Sequence, residues 1–197
     1  MKKVWIVISL AVIVALFIIF NTSIIPTHST GNTIEEAIRK SGRNVTEIVH
    51  TEEVKDGVVV FYKKNIGSEG ESNASGYIKK TIWGWEWSYG GEHSDSIGNG
   101  FSTQYFPYSK DTPFPLLFGE IKDQKIKQII ILKIDQENDS EAKIIGTNSD
   151  IMWFTFLDKS EGPRFTIIGL SGEGTTLYSE TININDNFSK GTTTRIN

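Results

Sequence analysis

The sequence predicts a mainly β protein that begins with one transmembrane helix. Three observations lead to this fold class: an apolar run near the N-terminus, a single short helical pattern after it, and strand-like alternation with turn residues through the rest of the chain. We predict a small α+β domain, in which one helix lies on an antiparallel sheet. A β-sandwich with immunoglobulin-like proportions follows it.

Composition narrows the class of function before any motif is considered. The chain has 197 residues, with 20 basic and 24 acidic side chains and no cysteine. The acidic balance argues against a nucleic-acid partner, because phosphate binding needs clustered Lys and Arg. The absence of cysteine excludes disulfides, thiolate catalysis and Cys-ligated metal sites. The sequence indicates no cofactor and no metal site.

Residues 4–25 form the predicted membrane anchor. Val4–Phe20 is an almost unbroken apolar run, and its seventeen residues span roughly 25 Å as a helix, at the short end of what a bilayer core requires. Lys2 and Lys3 precede the run, so the positive-inside rule leaves the N-terminus cytoplasmic and the later domains extracytoplasmic. We therefore expect a single-pass protein of the cell membrane. A cleaved secretory signal is the alternative, and it would make the protein secreted.

The α+β domain is predicted at 33–110, after a linker at 26–32. A capping box opens it, because the Thr33 hydroxyl can accept the amide of Glu36 while the Glu36 carboxylate reaches back; Gly42 then ends the helix. The hydrophobic period changes to two after the helix. We predict strands at Val45–Thr51, Val58–Lys63 and Tyr77–Tyr89, with a solvated loop at Gly67–Gly76.

The sandwich domain is predicted at 111–186. Three prolines in Tyr105–Phe118 would remove ladder donors, so we place the boundary near Asp111. Residues 187–197 are a polar tail expected to fray, and residues 1–3 are the cytoplasmic end. Short strands separated by turn residues are predicted at Leu116–Ile121, Ile126–Ile134, Ala142–Ile145, Ile151–Leu157, Phe165–Leu170 and Thr175–Ile184.

Two segments resemble membrane-anchored proteins of low-GC Gram-positive bacteria. They are Gly76–Ser94, GYIKKTIWGWEWSYGGEHS, and Phe114–Ile121, FPLLFGEI. The resemblance implies a cell-envelope setting. No activity is attached to these motifs, so the resemblance carries over no catalytic or binding residue.

Four aromatic residues are the first candidates for a ligand-binding site: Trp83, Trp85, Trp87 and Tyr89. In one extended strand their side chains would share a face, and such a row can stack on sugar rings or peptide side chains. The alternative is that this face is the core of the first domain, since burying each ring stabilises the fold by roughly 2 to 3 kcal/mol. The sequence leaves both interpretations open.

The turn after these aromatic residues holds Glu92, His93 and Asp95. An imidazole that titrates near neutral pH beside carboxylates can bind a ligand or perform acid–base chemistry. We include Glu92 and His93 among the candidate ligand-binding residues. A surface hydrolase that uses His93 with Glu92 or Asp95 is the alternative function. A solvated turn explains the same residues, and no catalytic residue is assigned.

Two further patterns indicate hairpin turns. The oxygen-rich stretch Asp135–Glu141 resembles a calcium loop, but it lacks the glycine and glutamate that an EF-hand requires at its sixth and twelfth positions. Gly169–Glu173 has Glu173 where a G-x-S-x-G nucleophile elbow needs glycine, and no helical pattern follows it.

The sequence therefore favours a single-pass membrane protein with a non-catalytic extracytoplasmic binding or interaction module. The expected partners are the lipid bilayer, through residues 4–25, and an envelope protein or polysaccharide. A regulator that signals through the membrane helix is a third hypothesis. It is disfavoured because three residues precede the apolar run and no cytoplasmic effector domain is expected.

Overall fold

The computed structural model describes residues 12–13, 30–92, 100–133, 139–147, 150–159, 164–183 and 192–195. Over these ranges the protein is mainly β, which confirms the predicted class. Of the predicted anchor, only Val12 and Ile13 are described, and both are helical and exposed. No helix within the described ranges has the length and apolarity needed to span a bilayer.

Sheet A is antiparallel and carries a short α-helix. Its strands are β1 (Thr30–Gly31), β2 (Glu47–Val54), β3 (Gly57–Asn65), β4 (Glu71–Thr81) and β5 (Gly84–Glu92), and the helix is α1 (Ile34–Lys40). The strand order is β1-β5-β4-β3-β2. A short 3₁₀ turn, Gly67–Glu69, lies between β3 and β4. The prediction of one helix on an antiparallel sheet is confirmed.

Helix α1 begins with the predicted cap by the Thr33 hydroxyl, while the Glu36 carboxylate reaches one residue further back than a capping box requires. The Thr33 hydroxyl accepts the amide of Glu36 at 3.2 Å, and the Glu36 carboxylate accepts the amide of Asn32 at 2.8 Å. Gly42, with a φ of 84°, lies just past the helix end. Ile38 is fully buried against sheet A, so the apolar side of the helix faces the strands.

Two further antiparallel sheets form a β-sandwich. Sheet B contains β6 (Gln104–Phe106), β7 (Leu116–Glu120), β10 (Lys143–Thr147) and β11 (Asp150–Phe156), in the order β10-β11-β7-β6. Sheet C contains β8 (Ile126–Lys133), β9 (Ser140–Glu141), β12 (Arg164–Ser171), β13 (Thr176–Asn183) and β14 (Thr192–Arg195), in the order β14-β13-β12-β8-β9. Trp153 of sheet B packs with Ile129 and Phe165 of sheet C in one buried cluster.

Sheet A packs its second face on sheet B. Phe61 of β3 is fully buried, with its ring centroid 4.6 Å from that of Phe154 and 6.1 Å from that of Phe118. The layers therefore run in the order α1, sheet A, sheet B, sheet C. Because both faces of sheet A are covered, β3 carries five consecutive buried residues, Val58–Tyr62, rather than an alternating pattern.

The structure corrects two of the predicted elements in sheet A. The prediction of a single strand at Tyr77–Tyr89 is wrong. Ile82 and Trp83 form a two-residue turn, which divides this segment between β4 and β5. The prediction of a solvated loop at Gly67–Gly76 is wrong from Glu71 onward, because β4 begins at that residue. Small, polar residues make this stretch look like a loop in sequence, yet Gly76 suits the strand because a Cβ there would overlap the Trp87 ring.

Pairing also crosses the predicted domain limits. Gln104 of β6 is opposite Phe118 of β7, so the boundary predicted near Asp111 lies between two strands that pair with each other. Thr192–Arg195, in the predicted polar tail, pairs with β13 as the edge strand of sheet C. The division into two domains stays a prediction, and the hydrogen bonding places residues after Phe101 with the sandwich.

Candidate functional site

The four aromatic residues of the β4–β5 hairpin do not share one face, so that expectation is wrong. Trp83 lies in the turn and is 49% exposed. Trp85 and Trp87 pack against the cluster under α1, whereas Tyr89 packs against the cluster between sheets A and B. A β-bulge causes the change of side, because Tyr77 pairs with Tyr89 while the next residue of β4 pairs with Trp87.

The half-buried indoles of the hairpin are covered by cationic side chains. The Arg43 guanidinium lies 4.2 Å from the centre of the Trp87 ring, and the Lys80 ammonium lies 5.5 Å from that of Trp85. The Trp87 ring also makes an edge contact with buried Tyr62. These indoles therefore belong to the packed layer between α1 and sheet A, and Trp83 is the exposed ring of the hairpin.

An open groove of about 520 Å³ lies beside this packed layer, at the end of sheet A where β2 begins and β3 ends. Its volume falls within the usual range for small-ligand sites, about 300 to 1,000 Å³. Six of its eight lining residues carry polar side chains: Glu35, Arg39, Arg43, Asn44, Thr46 and Asn65. No local pattern in the sequence singles these residues out, because they come from three separate segments.

Arg43 is held in place at the wall of this groove. Its guanidinium donates to the Gly90 carbonyl oxygen at 3.3 Å, to the Ser41 carbonyl oxygen at 3.4 Å and to the Ser41 hydroxyl at 3.2 Å. It also stacks on the Trp87 ring. The groove thus has one guanidinium fixed by β5 and a second, that of Arg39, on the exposed side of α1.

A second cluster of charged residues joins sheets A and B. The Glu52 carboxylate lies 2.8 Å from His50 Nε2 and 2.6 Å from the Lys143 ammonium. Burial opposes ionisation of Glu52, but the hydrogen bonds from Lys143 and His50 outweigh it and lower the pKa of Glu52 below its usual value. The His50 ring packs near Phe61 and Phe154. These contacts stabilise the packing of sheet A on sheet B. In the sequence, the only indication of this cluster is that His50 and Glu52 lie two positions apart in a strand, and so on the same face.

Lys63 forms a similar connection between the two sheets. Its ammonium lies 2.6 Å from Asp150 of β11, and hydrogen bonding to Asp150 raises the pKa of Lys63. Together with Lys143 and Glu52, this pair places matched charges across the interface between sheets A and B. These side chains stabilise the layered fold and do not line the groove.

The sandwich holds one buried acid outside both clusters. Glu180 on β13 is 3% exposed, and its carboxylate accepts a hydrogen bond from the Thr103 hydroxyl at 2.9 Å. Burial raises the pKa of Glu180, and the bond from Thr103 opposes part of that effect. The group is therefore biased towards its protonated form.

The other sequence candidates have mixed outcomes. Glu92 ends β5 opposite Ala74, while His93 and Asp95 lie outside the described residues, so the acid–base interpretation stays a prediction. Of the oxygen-rich stretch, residues 135–138 also lie outside the described residues. Ser171 occupies a hairpin turn, where its hydroxyl accepts the amides of Glu173 and Thr175, as predicted. Among the described residues, no group of three or more acidic or histidine side chains is placed to hold a metal.

Comparisons of the chain with models of protein families, with curated proteins and with solved structures find no match. The groove, the hairpin and the sequence of the N-terminal segment are therefore the features from which function can be inferred.

Proposed function

We propose that the protein is a single-pass membrane protein whose extracytoplasmic part is a non-catalytic binding module, with the groove beside α1 as its ligand site. The observation that carries this proposal is the pair of guanidinium groups at the groove. Arg43 is fixed by Gly90 and Trp87, so it presents its charge with little loss of side-chain entropy on binding. Arg39 adds a second, exposed cation.

The lining favours a polar ligand that carries anionic groups. Two of the lining residues are arginines and one, Glu35, is acidic, and guanidinium recognises carboxylate and phosphate through paired N–H donors. Asn44 and Asn65 supply amide groups that bond to hydroxyls. An anionic envelope polysaccharide has all of these groups. The envelope setting follows from the resemblance of Gly76–Ser94 to membrane-anchored proteins of low-GC Gram-positive bacteria.

The membrane location is supported by the N-terminal sequence. Val4–Phe20 is long enough to cross a bilayer core, and Lys2 and Lys3 favour a cytoplasmic N-terminus. Protease added to intact cells should then degrade the domains that follow the anchor. Protection of those domains until the cells are lysed would contradict the orientation.

Binding can be tested with full-length protein in nanodiscs. We expect a polymer with repeating phosphates, polyglycerol phosphate, to bind, and neutral dextran of similar length not to bind. Arg39→Glu reverses a charge on the exposed side of α1 and should weaken binding at least tenfold, as measured by calorimetry. Lys125→Glu makes the same charge change at an exposed turn of the sandwich and is the matched control.

The control variant decides what a positive result means. If Arg39→Glu and Lys125→Glu weaken binding equally, the effect is one of net charge and the groove is not the site. If neither polyglycerol phosphate nor a carboxylated polymer such as polygalacturonate binds, the proposed ligand class is wrong.

A further inference from the structure

We propose that the turn formed by Ile82 and Trp83 inserts into the lipid–water interface beside the membrane anchor. The proposal rests on the anchor in the proposed function and adds a second membrane contact. Ile82 is 88% exposed and Trp83 is 49% exposed, so the two adjacent apolar side chains project from the end of the β4–β5 hairpin. Two-residue hairpin turns usually carry Asn, Asp or Gly at these positions.

The turn is built to enter an apolar environment. The Thr81 hydroxyl accepts the amide of Trp83 at 3.2 Å and donates to the Gly84 carbonyl oxygen at 3.0 Å. These bonds satisfy polar groups of the turn from within, which a lipid environment demands of any backbone that enters it. The apolar side chains are therefore presented on a turn in which the Trp83 amide and the Gly84 carbonyl are already paired.

The position of β1 places this turn close to the anchor. Gly31 pairs with Trp85, and a Cβ added to Gly84 would overlap the Gly31 carbonyl oxygen, so the chain enters sheet A next to the turn. Residues 26–29 connect the predicted anchor to Thr30. Five Cα–Cα steps from Ile25 reach at most about 18 Å, which keeps this end of sheet A near the bilayer surface.

The charges around the turn also suit a bilayer surface. Lys79 and Lys80 lie at the end of β4, one residue before the turn, and are exposed; Lys55 is exposed in the adjacent β2–β3 turn. The Asp56 carbonyl accepts the Lys80 amide, which holds the two turns together. The Asp56 carboxylate and Glu86, which lies opposite Lys79 in the hairpin, offset two of the three positive charges. Trp at the headgroup level, with lysines reaching anionic headgroups, is the usual composition of a membrane interface.

Cysteine labelling provides the test, because the chain has no cysteine of its own. Ile82→Cys and, as a control, Glu173→Cys are labelled with the fluorophore NBD. Glu173 lies in an exposed hairpin turn of sheet C, the layer farthest from α1. Full-length protein is reconstituted in vesicles of phosphatidylcholine and phosphatidylglycerol, with and without nitroxide-labelled lipid.

We expect NBD at position 82 to emit at shorter wavelength than NBD at position 173. Nitroxide-labelled lipid should quench the emission of NBD at position 82 at least threefold more than that of NBD at position 173. If the protein floats with the vesicles but position 82 emits as in water, insertion is refuted and the anchor stands. A blue shift without nitroxide quenching also refutes insertion, because protein rather than lipid then covers the turn. Protein that fails to float refutes the anchor as well.

Discussion

Replacing Phe61 with alanine tests whether sheet A and the sandwich unfold as one unit. Phe61 is fully buried between sheets A and B, 4.6 Å from the Phe154 ring and 6.1 Å from the Phe118 ring. Removing a buried Phe ring costs about 3 to 5 kcal/mol. We expect about 4 kcal/mol here, because hydrogen-bonded ladders on both sides prevent the cavity from closing. That is a large part of the roughly 5 to 15 kcal/mol by which domains are stable.

Denaturant unfolding of the full-length protein in detergent micelles measures this loss. Far-UV circular dichroism follows the strands of all three sheets, and tryptophan emission follows Trp153 in the sandwich and Trp87 in sheet A. Both signals should change in one transition, and Phe61→Ala should move that transition to lower denaturant. Phe156→Ala is the matched control, because Phe156 is only partly buried at the edge of the same cluster, and it should cost less than half as much.

Two outcomes would refute this reasoning. One is a pair of separate transitions of which only one responds to Phe61→Ala, since sheet A and the sandwich would then be independent units. The other is a loss below about 1 kcal/mol, which is less than a buried ring can cost if it fills the contact between two sheets.

Two more predictions follow from single residues. Because burial raises the pKa of Glu180 above 4.5, stability should fall as pH rises from 4.5 through the folded-state pKa; Glu180→Gln should remove this dependence and stabilise the protein at neutral pH. Thermal unfolding across pH measures it, and an unchanged pH profile would contradict it. In Gly76→Ala the new Cβ would overlap the Trp87 ring, so we expect the free energy of unfolding to fall by about 1 to 3 kcal/mol. The displaced Trp87 indole should also become more accessible to quenching by iodide. Gly91→Ala meets no atom within 4 Å and should be neutral.

Local chemistry explains which elements of the fold could be predicted. The start of α1 depends on residues within four positions of each other, Thr33 and Glu36 above all, and it forms as the sequence predicts. The β4–β5 turn was missed because Ile82 and Trp83 continue the apolar pattern of a strand. Its turn signals are the Thr81 hydroxyl and Gly84, with a φ of 123°, and neither breaks that pattern.

The candidate site was harder to predict because it depends on distant contacts. Arg43 lines the groove and is held by the Gly90 carbonyl, which is 47 positions away, and no local pattern predicts their pairing. Strict alternation predicts that the side chains of Tyr89 and Trp87 share one face of the sheet. The bulge in β5 turns Tyr89 to the opposite face, and an alternating pattern gives no indication of a bulge. His50 and Glu52 lie two positions apart, whereas Lys143, which completes that cluster, is 91 positions from Glu52.

The two proposals together give the protein an orientation on the membrane. Gly57 lies at the end of β3 near the Ile82–Trp83 turn, and Asn65, at the other end, lines the groove. Eight strand steps of about 3.3 Å separate them by roughly 26 Å. With the turn in the lipid interface, β3 would carry the groove away from the bilayer surface, and a polymer in the envelope would reach Arg39 without approaching the headgroups. Basic residues at the two ends would then contact different anions, lipid phosphates at one end and the polymer at the other.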